Sequence, residues 1–209
     1  KPVWLGSRAG ISDEVLPPWT PVRATGQQVA CWGRTYKWGA LPFPASVLTR
    51  QAEVLSGPIT LVGSVGGRQL VWSGAGCKVT SARPSLAKLA GRAQAGGLTC
   101  DGTVAVEYDG MIRSDFKLTP VRQASVDSLA LEIPLKAEYA RYLYCWPGRW
   151  GKSSNAGALP AEGYRGPFKP FFWLGDEARG LCWFSESDRN FFHAREDEAA
   201  ERGPEEPHP

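Results

Sequence analysis

The chain has 209 residues, 43% of them hydrophobic, and a formal net charge of +3 at pH 7. This length can bury a substantial core as one large all-β domain or two small ones. The basic residues are dispersed, with no basic run interleaved with aromatics, and no apolar stretch reaches membrane-helix length. We therefore expect neither nucleic acid nor a membrane as a partner. Because the chain begins at Lys1 and its only methionine is Met111, we expect a piece of a longer protein.

Glycine and proline recur at short intervals, which favours many short strands over long helices. The turn-forming dipeptide Asp109-Gly110 predicts a tight hairpin. Regularly spaced strands without amphipathic helices between them predict an all-β fold, an antiparallel β-sandwich of two packed sheets related to the supersandwich type, with few or no helices. The predicted strands are 29–38, 46–55, 59–64, 69–73, 77–82, 103–108, 111–118 and 126–135.

Three segments depart from this pattern. Residues 85–95 fit either a helix or a strand, whereas 136–144 has apolar residues at helical spacing and predicts a short helix. Residues 146–166 hold too many glycines and prolines for regular structure, and they predict a long functional loop. From residue 193 onward the chain is charged and lacks apolar content. We predict one β-sandwich domain over 1–192 and a disordered charged tail over 193–209.

Residues 168–187 form two aromatic runs joined by a polar turn, which predicts a buried β-hairpin. Gly175 and Gly180 bracket the turn. Such apolar arms need cover on both faces, so the hairpin is expected inside a larger structure. Adjacent carboxylates on a turn point in different directions, and Asp176 and Glu177 are therefore interpreted as a solvated turn and not as an acid and base pair.

Catalytic and metal sites find little support in the sequence. Both histidines, His193 and His208, lie at or beyond the edge of the predicted tail, so catalytic triads lack a base in the folded body. Asp13 and Glu14 follow Ser12 and suit a turn or a helix start better than catalysis. The five cysteines form no metal-binding signature, and most are expected to be small buried hydrophobes. We predict no catalytic residue, no metal and no cofactor.

The long loop provides the candidate binding residues. Its aromatic rings lie beside polar side chains, a combination that either stacks on sugar rings or docks another domain. Three strand tryptophans, Trp72, Trp173 and Trp183, are interpreted as core. The candidate carbohydrate-binding residues are Trp146, Arg149, Trp150, Asn155 and Tyr164.

Two stretches carry a resemblance to a known family. The segments 4–21, WLGSRAGISDEVLPPWTP, and 172–188, FWLGDEARGLCWFSESD, resemble the N-terminal domain associated with glycoside hydrolase family 123. The resemblance implies a β-sandwich that precedes a catalytic (β/α)₈ barrel. The resemblance also implies the activity of that family, which is release of N-acetylgalactosamine. The substrate acetamido group assists this reaction, and an Asp-Glu pair of the barrel catalyses it. That pair has no counterpart in this sequence.

Three functional hypotheses follow from the sequence. The first is a non-catalytic module of a glycoside hydrolase that packs on the catalytic barrel and contributes to carbohydrate binding. The second is a free-standing carbohydrate-binding protein. The third is a self-standing glycosidase that uses its own carboxylates, from the set Asp13, Glu14, Asp176 and Glu186.

Overall fold

The structure is a computed structural model that describes residues 2, 4–8, 10, 12–123, 125–146, 156–166 and 168–187. The chain divides into two compact units, Lys1–Pro134 and Leu135–Pro209, and each is described by itself. All strand pairings in the described residues are antiparallel, which confirms the all-β fold. The single domain over 1–192 stays a prediction, and the tail 193–209 lies outside the described residues.

The first unit contains three antiparallel sheets. Strands β1 to β5 form one sheet in chain order, and a second has the order β12-β11-β10-β8, with β9 also paired to β10. A third, smaller sheet has the order β13-β6-β7. The strands are β1 Arg23–Thr25, β2 Gln28–Cys31, β3 Arg34–Trp38, β4 Pro44–Thr49, β5 Ala52–Glu53, β6 Thr60–Val65, β7 Arg68–Gln69, β8 Ser73–Gly74, β9 Lys78–Ala82, β10 Leu86–Ala95, β11 Leu98–Glu107, β12 Ile112–Pro120 and β13 Val126–Glu132.

The core of the first unit follows from strand alternation. In the long β10–β11 hairpin, Leu89 pairs with Val104, and both side chains are almost fully buried. Successive side chains of a strand point to opposite faces, so every second residue of these strands enters the core. The first two sheets are joined by hydrogen bonds, because the Tyr36 hydroxyl donates to the Gly110 carbonyl at 3.0 Å and the Ser114 hydroxyl donates to the Pro42 carbonyl at 2.8 Å.

Two predicted strands of the first unit are hairpins. The stretch 29–38 turns at Gly33, whose φ of 73° is in the left-handed region, and becomes β2 and β3. The stretch 46–55 becomes β4 and β5 through Arg50 and Gln51, which both have positive φ. Arginine and glutamine do not usually favour positive φ, so the residue types at this turn do not predict it. The tight hairpin at Asp109-Gly110 is confirmed between β11 and β12.

The second unit contains one four-stranded sheet with the order β15-β14-β16-β17. Its strands are β14 Tyr142–Trp146, β15 Ala156–Ala158, β16 Phe171–Gly175 and β17 Gly180–Phe184. The helix predicted over 136–144 is wrong: only Ala137–Tyr139 form a 3₁₀ turn. Pairing with two neighbouring strands places the last three residues of that segment, from Tyr142 onward, in β14. The ambiguous segment 85–95 is strand β10 in the first unit.

Of three predictions on burial, two need correction. The hairpin of β16 and β17 is confirmed with its turn at 176–179, but it is not buried on both faces, since Phe184 is 45% exposed. Four cysteines are buried, as predicted for most of them. The fifth, Cys182, projects to the same side of the sheet as Phe184 and is exposed. The three tryptophans interpreted as core, Trp72, Trp173 and Trp183, are only half-buried. Among the described residues, no helix has the length and apolarity that a membrane crossing requires.

Candidate functional site

The register of the second unit's sheet sorts its aromatic side chains onto two faces. Strand β16 pairs Phe171 with Trp146 and Trp173 with Tyr144 of β14, and it pairs Phe171 with Phe184 of β17. Directly paired residues of antiparallel strands project to the same side of a sheet. One side therefore carries Tyr144, Trp146, Phe171, Trp173 and Phe184, which we call the aromatic face.

Three of these rings form a row across three neighbouring strands. The row runs from Trp146 through Phe171 to Phe184 and spans about 10 Å, since neighbouring strands lie about 4.8 Å apart. Its two ends are 44% and 45% exposed, and its middle is half-buried. Tyr144 packs edge-to-face on Phe171, with ring centroids 5.8 Å apart. The row thus presents apolar rings to solvent at the sheet surface.

The opposite face of the sheet is the packed side. Phe172 contacts Tyr164 and Trp183, at centroid distances of 6.0 and 6.3 Å, and Phe168 meets Trp183 edge-on at 6.2 Å. On the same side, Cys145 is paired with Phe172 and is only 2% exposed. This face contributes the local core of the second unit.

A pair of glycines shapes one end of the aromatic face. Gly175 pairs with Gly180 on one side and with Tyr142 on the other. A Cβ atom on Gly175 would lie 2.5 Å from Cζ2 of Trp173, so the indole lies over this glycine. The lack of a side chain at Gly175, the direct partner of Tyr142, leaves the space that the Trp173 ring occupies.

A polar cluster of Arg141, Tyr142 and Glu177 adjoins that end of the face. The Tyr142 hydroxyl donates to Oε1 of Glu177 at 2.7 Å, and Nη1 of Arg141 donates to Oε2 at 3.0 Å. The Arg141 guanidinium also lies 5.4 Å from the Tyr142 ring centroid. The Tyr142 bond lowers the pKa of Glu177 and raises the pKa of Tyr142. These bonds fix the carboxylate at the rim of the aromatic face.

Asp176 stabilises the turn itself. Its Oδ1 accepts the backbone N–H groups of Ala178 and Arg179 at 2.8 and 2.7 Å, and these bonds lower the pKa of Asp176. The turn role predicted for this carboxylate and for Glu177 is confirmed. A general acid at neutral pH needs a raised pKa, and both of these carboxyls have a lowered one.

The acidic pair near the start of the chain also has a local structural role. The Ser12 hydroxyl accepts the backbone N–H of Glu14 at 3.0 Å, and Asp13 lies 3.8 Å from Arg83 in an exposed ion pair. This bond is that of a serine turn, and no helix begins at residues 12–20, so the geometry fits the turn role and not the helix start. In the part of the chain that the structure describes, no group of three His, Cys, Asp or Glu side chains could hold a metal ion.

Comparison with known protein families identifies the family of this chain. The family described as glycoside hydrolase 123, third domain, matches residues 22–189. The chain belongs to this family. The match begins just before β1 and extends past β17, so it includes strands of both units. A search of curated proteins found no match.

The family assignment corrects one detail of the resemblance. This glycoside hydrolase 123 domain is described as the third domain and not as the N-terminal one. Of the two stretches that carry the resemblance, 172–188 lies inside the matched residues and 4–21 lies outside them. A local motif identifies a family but holds no information on the order of domains along a parent chain.

The structure separates the predicted binding residues of this glycoside hydrolase 123 domain. Trp146 lies on the aromatic face, whereas Tyr164 packs on Phe172 of the opposite face. Arg149, Trp150 and Asn155 lie outside the described residues. The predicted loop over 146–166 contains strand β15. Sequence reasoning misses Tyr144, Phe171 and Phe184, although alternation along β14, β16 and β17 was the signal that could have found them.

Proposed function

We propose that this chain is a non-catalytic module of a glycoside hydrolase 123 protein and that it contacts carbohydrate through the aromatic face. The observation that carries the proposal is the row of Trp146, Phe171 and Phe184, exposed at both ends. The C–H groups on the face of a pyranose ring pack well on aromatic rings, which offer large, rigid apolar surfaces. A row about 10 Å long suits an oligosaccharide better than a single sugar.

The state of the turn carboxylates supports a non-catalytic role. Asp176 is held by two backbone N–H groups, and Glu177 is held by Tyr142 and Arg141. Both carboxyls have lowered pKa values, which suits turn stabilisation and not proton donation. Packing on a (β/α)₈ barrel of the parent protein belongs to the same proposal and rests on the family assignment.

Assay of the chain on aryl glycosides tests the non-catalytic part. We expect no turnover of a panel of p-nitrophenyl glycosides that includes N-acetylhexosaminides. Reproducible turnover that a single carboxylate-to-amide change abolishes, for example Asp176→Asn or Glu186→Gln, would show instead that the chain is a self-standing glycosidase.

Isothermal titration tests the carbohydrate contact. The probes are tri-N-acetylchitotriose and its galacto-configured counterpart, both neutral trisaccharides. Trp146→Ala and Phe184→Ala should each weaken binding about tenfold, a loss of about 1.4 kcal/mol. Trp32→Ala is the matched control, because Trp32 is 45% exposed on the first unit. Unchanged affinity in both face variants, or an equal loss in the control, would refute the contact.

A further inference from the structure

The polar cluster and Trp173 share one end of the aromatic face. The Trp173 indole lies over Gly175, and Gly175 pairs directly with Tyr142 on β14. The Trp173 ring and the Tyr142 side chain therefore project to the same side of the sheet, at the same end of it. An aromatic ring beside several hydrogen-bonding groups is the arrangement that orients a bound small molecule.

The cluster retains capacity for more hydrogen bonds. Each Glu177 oxygen accepts one bond from a neighbouring side chain, and a carboxylate oxygen can accept a second. The Tyr142 oxygen donates and can also accept, and a guanidinium such as that of Arg141 has five N–H donors. The Arg141 and Glu177 side chains are 57% and 62% exposed, so a ligand can reach them. Sugar hydroxyls, each both a donor and an acceptor, match this mixture.

The charges around this end of the face balance. Arg141 is paired with Glu177, and Arg179 follows Asp176 around the same turn, with its guanidinium 5.1 Å from the Tyr139 ring centroid. Two cations and two carboxylates leave no net charge to attract an ionic ligand. The chemistry favours a neutral sugar over a uronate or a sulfated sugar.

We propose that Arg141, Tyr142 and Glu177 form a subsite that binds the hydroxyl groups of a neutral pyranoside stacked on Trp173. This inference rests on the proposed function, because it assigns one end of the same face to sugar recognition. Aromatic stacking supplies contact area there, and the polar cluster supplies selectivity among sugars.

Titration of the whole chain with tri-N-acetylchitotriose, its galacto-configured counterpart and trigalacturonate tests the subsite. We expect at least one neutral trisaccharide to bind at least tenfold more tightly than the uronate. Glu177→Ala should weaken the tighter neutral complex about tenfold, and Tyr142→Phe, which keeps the ring, should weaken it severalfold. Glu132→Ala, at an exposed glutamate of β13 in the first unit, should leave it unchanged.

The variants distinguish the subsite from the aromatic row. Wild-type affinity in Glu177→Ala, together with the loss in Trp146→Ala, would overturn the subsite and leave the proposed function standing. No binding of any of the three probes by the wild-type chain would overturn both. Thermal unfolding shows whether Glu177→Ala folds. If it does not fold, Tyr142→Phe serves as the test of the subsite, and wild-type affinity in that variant overturns it.

Discussion

The indole of Trp173 lies where a side chain of Gly175 would begin. A Cβ atom on Gly175 would be 2.5 Å from Cζ2 of Trp173 and 2.7 Å from the carbonyl oxygen of Arg179. Both distances are well below van der Waals contact, so the glycine and the ring have complementary shapes. This relationship places Trp173 beside the polar cluster of the aromatic face.

Gly175→Ala should therefore destabilise the second unit. The added methyl group must displace the ring or the turn backbone, and overpacking of this kind costs about 1 to 3 kcal/mol. Urea unfolding measures the loss, and near-ultraviolet circular dichroism reports the tryptophan environment. Gly57→Ala is the control, because its Cβ would lie 3.6 Å from Cγ of Pro134, an ordinary contact. Equal stability of the two variants would contradict the packing described for Trp173.

A second close approach lies in the core of the first unit. A Cβ atom on Gly102 of β11 would lie 2.5 Å from Cβ of Pro42, in the segment that joins β3 and β4. We expect Gly102→Ala to cost about 1 to 3 kcal/mol in the free energy of unfolding. Gly39→Ala, whose Cβ would meet Ala45 at 3.7 Å, should be tolerated. If denaturant unfolding gives Gly102→Ala the wild-type midpoint, the two segments do not pack as described.

Acidification should reduce the stabilisation that the Glu177 carboxylate gives to the turn at 176–179. Because the hydrogen bond from Tyr142 and the charge of Arg141 lower the folded-state pKa of Glu177, its stabilising contribution is full above about pH 4.3, the usual glutamate value. The contribution is lost as the pH falls through the lower, folded-state pKa. Glu177→Gln should therefore flatten the fall in unfolding free energy below about pH 4.3.

Urea unfolding at a series of pH values measures this effect. Glu132→Gln, on exposed strand β13, is the matched control and should follow the wild-type curve. A Glu177→Gln curve that runs parallel to the wild type over the whole acid range would mean that the carboxylate does not contribute to the turn.

The fold class could be predicted because its signals are local. Asp109-Gly110 encodes its own hairpin, and Gly175 and Gly180 mark the ends of the β16–β17 turn. The turn at Arg50 and Gln51 could not be predicted in this way, since their positive φ values depend on pairing between β4 and β5. Pairing of β14 with strands on both sides likewise overrides the helical spacing of 136–144.

The candidate site was predictable only in part, because it depends on strand register. Trp146 could be proposed from the sequence alone, because it is an aromatic residue at the start of the predicted loop. Its neighbours Phe171 and Phe184 are distant in sequence and join it only through pairing of β14, β16 and β17. Tyr164 belongs to the same predicted loop as Trp146, but its contact with Phe172 places it on the other face.

Two-dimensional NMR of the indole N–H groups tests the carbohydrate contact most directly. Each of the nine tryptophans has one indole N–H group, and single Trp→Phe variants assign the resonances. During titration with the neutral trisaccharides, the Trp146 and Trp173 resonances should shift in a saturable manner. The resonances of Trp38, buried in the first unit, and of exposed Trp32 should stay in place. Absence of shifts at Trp146 and Trp173, or shifts confined to Trp32, would contradict a sugar-binding role for the aromatic face.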